Sequence, residues 1–311
     1  MKIIVNIKKL ILGLFFVIPT LVFAQQDPMF NQYMFNTLNI NSGYAGSRDV
    51  LSMVVVGRKQ WVGFNGAPVS QTFSVHSPIA GSKLAAGISF LNDEIGPVGQ
   101  TGAYVDLAYH MQVSATTRLA FGVKGGVKMF RENLAEISTG QAGDNAFSGN
   151  NRSGLLPNFG FGLYLHNPRF YAGFSTPRVL ENTFDQNSFE FTKMSKETRH
   201  AFFIAGALFN LGEQVKFKPS MLTKAVWGAP IETDVDLSFL FREKLWLGVF
   251  YRTGAGVGSI IQFQFTDQLR AGYSYDMSTT ALRSYNSGSH EIMLNYDFVV
   301  IKDKIKSPRY F

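Results

Sequence analysis

Residues 260–276, IIQFQFTDQLRAGYSYD, set apolar or aromatic side chains at Ile261, Phe263, Phe265, Leu269, Ala271, Tyr273 and Tyr275. Between them stand Gln262, Gln264, Thr266, Arg270, Gly272, Ser274 and Asp276. Period-2 alternation on both sides of a tight polar turn reads as a β-hairpin with one apolar and one polar face. The pattern recurs along the chain in about fourteen segments of roughly ten to fourteen residues, the length a tilted membrane strand requires. In residues 233–241, Val235, Leu237, Phe239 and Phe241 oppose Asp234, Asp236 and Ser238. In the fifth segment, Leu119, Phe121, Val123, Val127 and Met129 oppose Arg118, Lys124 and Lys128. Charges on one face and large apolar groups on the other suit a polar lumen inside a lipid-facing wall. A charge on the lipid face at mid-bilayer costs about 2–4 kcal/mol.

The connections give an independent test. Short links, AGS, SAT, NP, LGEQ, EK and TD, follow the second, fourth, sixth, eighth, tenth and twelfth segments. The long ones all fall at odd-to-even junctions, after the fifth, seventh and thirteenth segments. Outer-membrane barrels have short periplasmic turns and longer external loops, whereas a soluble β-sandwich has no reason to sort its loops by parity. The fold expected is all-β: a transmembrane antiparallel β-barrel of about fourteen strands over residues 50–300, placed in the outer membrane.

Composition agrees. The chain holds 29 Phe, 12 Tyr and 30 Gly, with 16 % charged residues and no cysteine. Disulfides and thiolate metal sites are therefore excluded. Residues 1–24 read as a secretory signal peptide, with Lys2, Lys8 and Lys9 before the apolar run LILGLFFVIPTLVF and a small-x-Ala site at residues 22–24. Its apolar run is short for a membrane anchor. Loss of its three lysines lowers the formal charge from +7 to +4, which suits anionic lipid or an acidic partner and gives no ground for nucleic-acid binding. Residues 25–49 precede the first strand without its alternation. Phe30, Tyr33, Met34 and Phe35 give this segment something to bury, so it reads as a plug folded back into the barrel.

No catalytic, cofactor or metal site is expected. His76, His110, His166, His200 and His290 show no metal-ligand spacing. The adjacent pairs His76-Ser77 and Ser289-His290 point to opposite faces of a strand. Residues 254–258, GAGVG, lack the lysine of a phosphate loop and read as a turn.

Three constellations stand out as candidates for partner binding. The first is residues 58–71: Arg58, then Trp61 at interfacial height, then the turn Gly66-Ala67-Pro68 as a rigid external corner. The second gathers Arg252, Tyr275, Asp276, His290 and Glu291 toward the same external rim, as a charge cluster or as a ladder that neutralises lumen charge. The third is the tail, residues 301–311, IKDKIKSPRYF, which would dock a periplasmic partner or fray. Lys124, Lys128, Lys216 and Lys218 at lumen positions suggest an alternative, an anion-preferring porin or solute transporter.

A set of motifs runs along the chain in the order DPMFNQYMFN, NINSGYAGSRD, RKQWVGFNGAPVSQTFSVHSP, NDEIGP, LAFGVKGGVKMF, LPNFGFGLYL, YAGFSTP, KPSMLTKA, WLGVFYR, AGYSYD and GSHEIML. Together they resemble the PorP/SprF family of type IX secretion system outer-membrane proteins of Bacteroidota. One departure replaces the family's Asn-Pro-Ala-Tyr-Ala-Gly by Asn41-Ser42-Gly43-Tyr44-Ala45-Gly46, trading a rigid turn for a flexible one. The resemblance implies a non-enzymatic barrel that works beside the secretion and gliding machinery. Its partners would be a secreted, adhesin-like cargo protein or its C-terminal sorting domain, type IX secretion subunits, an OmpA-like peptidoglycan-binding protein in one branch, and outer-membrane lipid.

Overall fold

The computed structural model describes residues 28–133, 152–182, 197–298 and 310–311; the segment expected to be a signal peptide and most of the tail and of the two longest loops lie outside them. The strands are β1 (Leu51–Lys59), β2 (Val69–Pro78), β3 (Leu84–Ile95), β4 (Val98–Gln112), β5 (Arg118–Glu132), β6 (Arg152–His166) and β7 (Phe170–Thr176). There follow β8 (His200–Ala207), β9 (Phe209–Asn210), β10 (Val215–Val226), β11 (Glu232–Phe241), β12 (Leu245–Arg252), β13 (Gly256–Gln264), β14 (Leu269–Ser278) and β15 (Ser289–Phe298). The two-residue β9 continues β8 past a break at Leu208, and both pair with β10. The wall is thus a fourteen-stranded antiparallel ring, closed where β1 pairs with β15 from Leu51↔Phe298 to Lys59↔His290. Each of the fourteen expected segments is a strand of this wall.

Alternation sorts the side chains as the sequence pattern requires. Val123, Val249 and Ile261 project outward, 59 %, 58 % and 46 % exposed. Lys124 and Gln262, their neighbours in sequence, and Asp236, between the outward Val235 and Leu237, are buried inside. An outward apolar band against an inward polar face is the transmembrane arrangement. The opening hairpin follows it: Phe263, Phe265 and Tyr273 face out, while Arg270 and Ser274 face in. The chain enters and leaves at the short-turn rim, since Leu51 is paired with Phe298. The longer connections gather at the opposite rim, which by the usual barrel arrangement is extracellular.

The segment preceding β1 lies within the ring. Residues 28–50 make three short 3-10 turns, Tyr33–Phe35, Thr37–Asn39 and Ser42–Tyr44. Their partners come from all round the wall. Asn36 Nδ2 donates to Thr72 Oγ1 on β2 at 2.7 Å, Lys124 Nζ on β5 donates to the Leu38 carbonyl at 3.2 Å, and Asn41 Nδ2 donates to the Leu163 carbonyl on β6 at 2.9 Å. On the other side Gln262 Nε2 of β13 donates to Gln32 Oε1 at 2.8 Å. Tyr33, Met34, Phe35, Leu38 and Tyr44 are buried together with Ile204, Leu222, Ile260 and Met293 from the wall. Where the family's Pro-Ala is replaced, the Asn41 side chain accepts the Gly43 N–H at 2.9 Å and fixes the last 3-10 turn. The tail's final residues meet this core from the short-turn side: Tyr310 is buried, Lys218 Nζ donates to its carbonyl at 3.1 Å, and Arg48 Nη1 donates to the Phe311 carbonyl at 3.0 Å.

Glycines in the wall make this seat possible. A Cβ on Gly122 would stand 2.2 Å from the backbone of Ser42 and Gly43, and one on Gly162 would stand 2.1 Å from Asn41 Oδ1. Backbone therefore approaches backbone where a side chain would stand between them. Gly122→Ala should destabilise the packed segment by about 1–3 kcal/mol, the cost of overpacking. Limited proteolysis of the folded barrel reads this as new cleavage within residues 28–50; an unchanged cleavage pattern would count against the seat. For the wall, Val123→Arg is expected to lower unfolding free energy in lipid vesicles by about 2–4 kcal/mol. A change near zero would mean this face does not meet the hydrocarbon.

Candidate functional site at the long-loop rim

The sequence-identified residues divide by strand parity into two groups. Arg58, Asp276 and Glu291 point inward and meet. Arg58 Nη1 is 2.8 Å from Asp276 Oδ1 and 3.5 Å from Glu291 Oε2. Register explains it: Arg58 on β1 is opposite Glu291 on β15, while Asp276 on β14 is opposite Ser289. Arg252 belongs to the next pair around the wall, opposite Asp234. Its Nε donates to both Asp234 oxygens at 2.8 and 3.0 Å, and its Nη2 to Oδ2 at 2.7 Å. The expected single cluster of Arg252, Asp276 and Glu291 is therefore two neighbouring ion-pair groups, because β13 separates β12 from β14.

Tyr275 and His290 lie on the other face. The ring centroids of the two stand 5.2 Å apart, and the hydroxyl of Tyr273 lies 2.6 Å from His290 Nδ1. Successive residues on a strand alternate faces, so Tyr275 parts from Asp276 and His290 from Glu291. This outward Tyr-His-Tyr group sits where an interfacial aromatic belt is expected.

Trp61 lies beyond the end of its strand. The first strand ends at Lys59 rather than continuing through Phe64, and Trp61 follows in the rim turn with a left-handed φ of 43°. The turn is held by its neighbours. The Val62 N–H donates to the Gly288 carbonyl at 2.8 Å, the Ser287 N–H to the Val62 carbonyl at 2.8 Å, and the Gly96 N–H to the Gly66 carbonyl at 2.9 Å. These three bonds tie the connections β1–β2, β3–β4 and β14–β15 into one layer. Gly66 takes φ 72° within it and Pro68 is buried, so Gly66-Ala67-Pro68 is a fixed corner. Trp61 lines a cavity of about 150 Å³ with Arg58, Phe250, Arg252, Asp276 and Leu282.

Sequence reasoning missed the residues that connect this rim to the interior. Glu291, fully buried, accepts the backbone N–H groups of Asn31 at 2.8 Å and Gln32 at 2.9 Å. Asn31 Nδ2 also donates to Asp276 Oδ1 at 2.7 Å and to Ser274 Oγ at 3.0 Å. The signal available was Asn31 and Gln32 themselves, polar residues between the buried Phe30 and Tyr33 that need partners once enclosed. The lumen lysines are engaged as well. Lys124 Nζ stands 3.1 Å from Asp106 Oδ1, Lys128 pairs with Glu197, and Lys216 Nζ stands 2.5 Å from Glu243 Oε1. Lys218 Nζ lies over the rings of Phe35 at 4.2 Å and Trp246 at 4.9 Å. Among the described residues no group of three or more His, Asp or Glu is placed to hold a metal ion.

Several solved structures align with the chain at low identity. The Acinetobacter baumannii outer membrane protein Omp33 aligns over 80 % of this chain and 99 % of its own, at 9 % identity and a TM-score of 0.47. The NanC porin aligns over 80 % and 100 %, at 8 % identity and a TM-score of 0.43. The KdgM porin aligns over 80 % and 99 %, at 6 % identity and a TM-score of 0.36. No curated protein matches the chain. A family model described as the type IX secretion system membrane protein PorP/SprF matches residues 22–296. Strand ring, lipid-facing wall and motif order agree with that match, and the chain belongs to the PorP/SprF family of type IX secretion system membrane proteins.

Proposed function

We propose that this chain is a non-enzymatic outer-membrane barrel of the type IX secretion and gliding machinery that supports export or surface anchoring of one dedicated, adhesin-like secreted protein. The barrel binds that protein, or its C-terminal sorting domain, and secretion subunits through its long-loop rim. Residues 28–50 act as a plug, and an OmpA-like peptidoglycan-binding protein is the partner expected on the periplasmic side. The observation that carries the reading is the construction of the rim. Three connections from different hairpins are bonded backbone to backbone into one layer around Gly66-Ala67-Pro68. A surface ordered before binding loses less conformational entropy on docking, which is what a dedicated partner site requires. The engaged lumen lysines, three of them in ion pairs, and the filled interior argue against a second reading, an anion-preferring porin.

Affinity purification of a tagged copy from native membranes in mild detergent should recover a large secreted protein or secretion subunits. Replacing Gly66, Ala67 and Pro68 together by serines should lower that recovery at least tenfold while the barrel remains folded by its heat-dependent mobility on gels. The same protein in planar bilayers should be electrically silent. A barrel recovered alone from well-solubilised membranes, with anion-selective conductance, would sink this reading and establish the porin.

A further inference from the structure

Inside the short-turn rim, register sets Lys216 of β10, Leu240 of β11 and Trp246 of β12 in one cross-strand row. Lys218 stands one inward position further along β10 and is fully buried. A buried ammonium needs acceptors for its three donors, and here the wall supplies no carboxylate. Among the described residues the ion-paired lysines are Lys124, Lys128, Lys216 and Lys224, and Lys218 is not one of them. Its Nζ donates instead to the Tyr310 carbonyl at 3.1 Å. The same nitrogen lies over the rings of Phe35, Trp246 and Phe311 at 4.2, 4.9 and 5.7 Å, within reach of cation–π attraction.

The remaining contacts of Tyr310 and Phe311 come from several separate elements. Tyr310 packs on Leu240 and Trp246, and its hydroxyl accepts a hydrogen bond from Lys216 Nζ. Phe311 stands against Tyr171 of β7, ring centroids 5.0 Å apart, and its carbonyl accepts from Arg48 Nη1 at 3.0 Å. Arg48 belongs to the inserted segment and is also held to the wall, since its Nη2 donates to Asp297 Oδ2 at 2.6 Å. Three cations thus face the two carbonyls and the phenol, while an apolar floor takes the two rings. Two of these cations keep another partner if the rings depart: Lys216 has Glu243 and Arg48 has Asp297. Lys218 has no second hydrogen-bond acceptor among the described residues. The mouth is therefore built around a buried donor that two consecutive aromatic residues satisfy.

We propose that the short-turn mouth of the barrel is a binding site for a pair of aromatic residues. Tyr310 and Phe311 of the same chain occupy it, and through Arg48 they latch residues 28–50 in place. The site lies at the rim opposite the partner-docking surface and does not depend on that reading. Release of the two residues leaves Lys218 without its acceptor and opens Trp246 to water from the short-turn side.

Trp246 is a ready reporter. The chain has three tryptophans, so Trp61→Phe combined with Trp227→Phe leaves Trp246 alone. Acrylamide quenching of that barrel in detergent should be weak, and should rise severalfold when Tyr310→Ala and Phe311→Ala are added. Tyr310 and Phe311 belong to no strand, so these substitutions leave the pairing of the wall intact. A synthetic peptide of residues 307–311, SPRYF, should return quenching to its original level. The same peptide with alanine at both aromatic positions should not. Limited proteolysis should show new cleavage within residues 28–50 in the tail variant, suppressed again by SPRYF. Unchanged quenching in the tail variant, or a rise that SPRYF fails to reverse, overturns the binding site. A reversible rise with no new cleavage within residues 28–50 overturns the latch.

Discussion

Hydrocarbon offers a peptide group no hydrogen-bond partner, and an unpaired N–H or C=O there costs several kcal/mol. The wall therefore has to close on itself, and the contact that closes it is the pairing of β1 with β15, nine residue pairs long. Other features of the fold follow from this. Closure places the chain's entry and exit at one rim and, with an even number of strands, sends the long connections to the other. It also fixes register, and register fixes which side chain faces lipid: a slip of one residue would exchange Val123 for Lys124 across the wall.

Sorting apolar residues outward creates a second problem on the inner face. Asp106, Lys124, Asp236, Lys218 and Glu291 are all buried within the ring, and removing one partner from a buried ion pair costs about 3–5 kcal/mol. The wall answers part of this itself, as Lys124 does with Asp106. The rest is answered by residues 28–50, which contribute backbone donors to Glu291, a backbone acceptor to Lys124 and the aromatic ring of Phe35 to Lys218. This segment is thus a component of the barrel's polar balance, and the glycines at 122 and 162 let its backbone come near enough to serve.

The wall was legible in the sequence because lipid and lumen impose opposite demands on alternate residues. Each segment carries that contrast in its own letters. The inward direction of Arg58, Asp276 and Glu291 could be read by parity, and so could the outward direction of Tyr275 and His290; treating them as one cluster overlooked it. Trp61 could not be placed by the same rule, since its position depends on where β1 stops. That point is set by bonds from Val62 to Gly288 and Ser287, more than two hundred residues away. The partners of Glu291 were equally hidden, because a polar segment without alternation carries no register. Only its content of Phe30, Tyr33, Met34 and Phe35 showed that it had something to bury.

Beyond the strand ends the constraint lapses, and the backbone changes character accordingly. All four non-glycine residues with positive φ, Asp49, Trp61, Arg242 and Glu243, lie outside the strands among the described residues. Such conformations cost about 1–3 kcal/mol and persist where the surroundings over-determine them. At Asp49 and at Arg242-Glu243 the strain accompanies a short-turn-rim connection. Trp61 stands instead in the bonded layer of the long-loop rim, directed to the cavity beside Arg58. Arg58, three residues before it, ion-pairs with Glu291 across the β1–β15 seam and so belongs to the closure. The strain is therefore carried where the bonds of Val62 with Gly288 and Ser287 fix the backbone, while β1 and β15 themselves hold no non-glycine residue at positive φ.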